Sequence, residues 1–79
     1  MSDKPTTDID WSERTKRILR GEMKRRGVTY EGLAELLGAL GIEENTRNLA
    51  NKISRGGFGA AFFIQCLVAM GARDVRVDD

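Results

Sequence analysis

Arg47, Asn48, Asn51, Lys52 and Arg55 all carry hydrogen-bond donors and recur at i, i+1, i+4, i+5 and i+8, the spacing that gathers side chains on one face of an α-helix. A guanidinium fork pairs bidentately with guanine edges and a carboxamide with adenine edges, while an ammonium neutralises phosphate. The set therefore suits a helix laid in the major groove of duplex DNA, with some of these residues on bases and Lys52 and Arg55 on phosphates. A second cationic group precedes it. Between Trp11 and Gly27 lie Arg14, Lys16, Arg17, Arg20, Lys24, Arg25 and Arg26, seven cations against Glu13 and Glu22, although the whole chain carries a formal charge of only +1. On a helical projection Arg14, Arg17 and Lys24 fall together with Arg20 and Arg25 beside them. This flank is expected to lie along phosphates, Arg14 and Arg17 foremost. Lys24, Arg25 and Arg26 also suit the negative end of a helix dipole.

Other chemistries lack their parts. The chain has no histidine, which removes the usual general base, the Ser/His and Cys/His nucleophile pairs and the commonest metal ligand. The lone Cys66 stands among Phe, Ile, Leu, Val and Met and reads as a buried, inert thiol. Glu43-Glu44 and Asp78-Asp79 are adjacent pairs that usually face solvent. No catalytic residue, metal site, cofactor or small-molecule substrate is expected. No apolar run approaches the roughly 18 residues of a membrane span, and Met1 to Asp10 lacks the apolar core of a secretory signal. No membrane partner and a cytoplasmic location are therefore expected.

Four helices must position these side chains. At 79 residues the chain has room for one hydrophobic core. Residues 1–9 read as a flexible lead-in. Asp10-Trp11-Ser12-Glu13 reads as a capping box, with Glu13 reaching back to the helix start. Trp11, Thr15, Ile18, Leu19 and Met23 form an apolar stripe on a first helix that ends near Arg26, before Gly27. Gly21 interrupts that helix at a cost of about 1 kcal/mol relative to alanine, which suggests a close approach of another backbone. Thr29 caps a second helix, with Tyr30, Leu33, Ala34, Leu37 and Leu40 on its stripe and Gly38 or Gly41 at its end, Gly41 being favoured; Val28 and Leu33 form a hydrophobic staple. A third runs from Glu44 or Asn45 to Ser54, with Ile42, Leu49, Ala50 and Ile53 inward and Gly56-Gly57 as the stop. A fourth runs from Gly59 or Ala60 to Met70, before Gly71. Only Gln65 breaks its apolar character, so burial on nearly every side is expected. Residues 10–71 form the domain. Residues 72–79 alternate apolar and charged side chains, as a short edge strand or a frayed tail would.

Val28-Thr29-Tyr30-Glu31-Gly32-Leu33-Ala34-Glu35-Leu36-Leu37-Gly38 resembles the first motif helix of the lambda-repressor-like, Xre-type helix-turn-helix. Arg47 to Gly56 occupies the recognition-helix slot, and Phe62 to Gly71 resembles the packing helix that follows. The run from Arg14 to Gly71 also resembles a small bacterial family of unassigned function with this domain. The resemblance implies an all-α, four-helix fold and a DNA-binding regulator of transcription or nucleoid-associated factor. It implies base contacts from Arg47, Asn48 and Asn51, and phosphate contacts at the start of the first motif helix, at Thr29 or Tyr30. A single module offers one recognition helix, so double-stranded DNA and a second copy of the chain are the expected partners. The connection Gly38 to Asn45 is longer than the usual tight turn, and Glu43-Glu44 at its tip is repelled by phosphate. A second reading stays open. Phe58, Phe62, Phe63 and Ile64 either fill the core or form an exposed patch, as in a protein-interaction module on the same scaffold.

Overall fold

The computed structural model describes residues 10–77 and has four helices: α1 (Trp11–Arg25), α2 (Tyr30–Ala39), α3 (Thr46–Arg55) and α4 (Ala60–Ala69). The expected lead-in over residues 1–9 lies outside the described residues. The fold is all-helical, and no strand occurs among the described residues. Among the described residues, no helix is long and apolar enough to cross a membrane.

Local chemistry sets the helix ends. Asp10, Thr29 and Asn45 each accept a hydrogen bond from the backbone N–H three residues on, at 3.1, 3.0 and 2.7 Å, which satisfies a donor that the first turn leaves open. Glu13 does not complete a capping box. Its carboxylate turns outward to Lys16 at 2.8 Å and Arg17 at 3.9 Å, because two cations on the next turn compete for it. At the far end of α2, Gly41 adopts φ +83°. The Ile42 N–H then reaches back to the Leu37 carbonyl at 2.9 Å and the Gly41 N–H to that of Gly38, a Schellman closure that needs a residue tolerant of positive φ. The same pair of bonds closes α1 and α4.

One core joins the helices. Leu19 and Met23 of α1, Leu33 and Leu37 of α2, Leu49 and Ile53 of α3 and Cys66 of α4 are buried together, and Phe58, Phe62 and Phe63 pack against them half-buried. Phe58 makes an edge contact with Phe62, with centroids 5.4 Å apart, and stacks on Phe63 at 6.2 Å. Helix α1 packs on α3 and α4, and α2 packs on the same two.

Tertiary packing overturns several expectations. Helix α4 is not enclosed. Ile64 and Val68 are 53% and 58% exposed, since α1 and α2 cover one side of α4 and no described element covers the other. Trp11, at the end of its stripe, is 63% exposed, with the Arg14 guanidinium 5.7 Å from its ring. Nothing approaches Gly21, whose missing Cβ would have no neighbour within 4 Å. The close approach is at Gly56, where a Cβ would lie 2.6 Å from the Ser12 carbonyl oxygen of α1. Residues 72–77 form no strand and instead fold back on α1. There the Arg76 N–H donates to Glu22 Oε2 at 3.0 Å, and Arg14 Nη2 donates to the Val77 carbonyl at 3.2 Å.

Candidate nucleic-acid interface

Helix α3 is strongly two-sided, and its buried side fixes what its open side presents. Leu49 and Ile53 are fully enclosed, which turns Arg47, Asn48, Asn51 and Arg55 outward, all four exposed. Neither arginine pairs with a carboxylate among the described residues. Lys52 departs from this group. It leans to the α4 side, where Nζ lies 2.6 Å from Glu44 Oε2 and 4.6 Å from the Phe62 ring centroid. The ring face attracts the ammonium while Glu44 balances it. A shallow hollow of about 300 Å³ runs between Glu44, Lys52 and the Asn48, Asn51 and Arg55 row. Of the two glutamates at the tip, Glu44 is therefore spent on Lys52, and Glu43 stays exposed.

Contacts between helices decide which cations border this face. Lys16 Nζ donates to the Ser54 carbonyl at 3.2 Å, and Arg20 donates through Nε to Tyr30 Oη at 2.9 Å and through Nη2 to Ser54 Oγ at 3.2 Å. Arg20 thus ties the first residue of α2 to the last turn of α3. The helical projection favours Arg14 and Arg17, but their contacts lie elsewhere: Arg14 binds the tail, and Arg17 sits beside Gly21, Arg25 and Arg76. Residues 16 and 17 diverge by about 100° around a helix, so both cannot border α3. Thr29 Oγ1 accepts from the Gly32 N–H, and its hydroxyl hydrogen remains available to an acceptor. Ser12, Lys16 and Arg20 share an i, i+4 stripe, a polar row on an otherwise amphipathic helix and the one sequence sign of the α3-facing side.

Glu22 is the feature that periodicity gives no reason to single out. It is buried at 1% exposure, and Arg25, Arg26 and the Arg76 N–H all donate to its carboxylate. Burial alone raises its pKa. The Arg76 N–H and the Arg26 and Arg25 charges outweigh that and hold the carboxyl below its ordinary value. Cys66 behaves as expected of an enclosed thiol. Burial, with Glu44 nearby, pushes its pKa up to about 12, far from the thiolate that reactive cysteines need. Among the described residues, no group of three or more carboxylate or cysteine side chains could hold a metal.

No curated protein and no solved structure matches the chain. A family model does, over residues 11–75, which takes in all four helices and most of the folded-back tail. The chain belongs to the family described as Domain of unknown function (DUF6471).

Proposed function

We propose that this domain binds duplex DNA with α3 in the major groove, as a regulator of transcription or nucleoid-associated factor built on a lambda-repressor-like helix-turn-helix. The observation that carries the reading is the open α3 face, on which Arg47, Asn48, Asn51 and Arg55 stand exposed with both guanidiniums unpaired by carboxylates among the described residues. Arg47, Asn48 and Asn51 are assigned to base edges and Arg55 to phosphate. At the border of this face, Arg20 and the Thr29 and Tyr30 hydroxyls take the phosphate role, with Lys16 behind them. The pair between Lys52 and Glu44 takes one repelling charge and one candidate phosphate contact together out of play.

Fluorescence polarisation against a labelled random-sequence duplex pool tests it. With about three cations on phosphates, raising monovalent salt from about 50 to 200 mM should weaken binding roughly fortyfold. The double substitution R47A/R55A should remove most of the affinity while leaving helical content unchanged. Absence of binding at micromolar protein, or binding indifferent to salt, overturns the proposal.

A second reading, a protein-interaction surface whose partner is another copy of the chain, rests on α4. Ile64 and Val68 are exposed, and α4 has no charged residue, so two copies meet there without repulsion. The half-buried phenylalanines belong to the core instead. The two readings are compatible, since a dimer supplies the second recognition helix.

A further inference from the structure

The folded-back tail creates a hollow of about 240 Å³ against α1, walled by Arg17, Arg25 and Arg76, with Gly21 and Ile18 beneath and Glu22 at its inner edge. From these residues we infer that the hollow binds a phosphate group. Three arginines line it, and planar guanidinium forks match phosphate oxygens in pairs. The Glu22 charge is already compensated by donors. One of its oxygens accepts from Arg25 and the Arg76 N–H and the other from Arg26, which fixes Arg25 and holds the tail in place. The exposed pair between Arg17 and Glu13, at 3.9 Å with side chains 62% and 43% exposed, is weak and easily exchanged.

Gly21 supplies the second observation. A mid-helix glycine is less favourable than alanine by about 1 kcal/mol, and no neighbour requires it, since its Cβ position is empty to 4 Å. What its missing side chain leaves open is the floor of this hollow. Residues 17, 21 and 25 follow one another by i+4 along one side of α1, away from the Lys16 and Arg20 side that meets α3. The site is therefore independent of the α3 reading.

The test is an amide-resolved NMR titration of the full chain at constant ionic strength, with inorganic phosphate, a nucleoside monophosphate and a short duplex carrying only phosphodiesters. Phosphate should give saturable shifts centred on residues 17, 21, 25 and 76. R76Q should weaken binding about tenfold, the worth of one charge-assisted hydrogen bond. G21E should abolish it by filling the floor with an opposing charge, and R17Q, which leaves the helix backbone alone, provides a second check should G21E unfold. Run in the R47A/R55A background, the duplex distinguishes sources: shifts at these residues identify backbone phosphate of DNA, and shifts with the monophosphate alone identify a free phosphorylated ligand. Non-saturating shifts spread over all surface cations, no shift with any probe, or full binding by both R76Q and R17Q overturns the site.

Discussion

Glu22 shows how a single buried charge can hold a segment that has no secondary structure. With its pKa lowered in the folded state, it adds stability that is complete above the ordinary carboxyl value of 4.5 and is lost as pH falls through the lower folded value. Glu22→Gln should therefore cost roughly 1 to 3 kcal/mol at pH 7. The gap in melting temperature between wild type and variant should narrow as pH falls from 7 to 3; a constant gap would show that the carboxylate charge contributes nothing. Gly56 is the other residue on which the fold depends. It combines φ +73° with the Ser12 carbonyl 2.6 Å from the site of a Cβ, so Gly56→Ala must strain the backbone and push α1 from α3. Urea unfolding should register a loss of roughly 2 to 4 kcal/mol. Gly21→Ala, with nothing near it, should give the opposite sign.

Each helix is delimited by its own residues, which is why the elements were legible. The caps at Asp10, Thr29 and Asn45 and the turns at Gly27, Gly41, Gly56 and Gly71 place seven of the eight helix ends within a residue or two of the positions that side-chain chemistry gives, and α4 starts after Gly59 with no side-chain cap. The starts of α3 and α4 are left open by sequence, and α3, expected from Glu44 or Asn45, begins at Thr46. Asn45 settles it by accepting the Asn48 N–H at 2.7 Å, which leaves Glu44 free to pair with Lys52 eight residues on. Asn45→Ala should cost about 1 kcal/mol by thermal melt. It should also lower DNA affinity more than stability alone explains, because the same turn sets the direction of Arg47 and Asn48. An affinity unchanged by the loss of this cap would separate α3 presentation from binding.

The whole molecule carries two cationic surfaces that its net charge of +1 conceals, one along α3 and one between α1 and the tail. On α4, Ile64 and Val68 stand exposed as well. If that pair joins two copies, Ile64→Asp should shift the mass by light scattering from twice 8.8 kDa to the monomer value without loss of helicity. A wild type that is monomeric at every concentration would remove self-association through α4. The sequence alone determined the number of helices, most of their ends, the core positions Leu19, Leu33, Leu37 and Leu49 and the polar face of α3, because capping bonds and 3.6-residue periodicity act within a few residues of chain; Leu40, expected on the apolar stripe of α2, is instead 49% exposed. It could not determine that Arg14 and Arg17 face the tail while Lys16 and Arg20 face α3, that one side of α4 is uncovered, or that Glu22 is enclosed. Those depend on where a neighbour sits across the core. Only the tertiary structure supplies that, because a side chain's burial and partners belong to the space between elements.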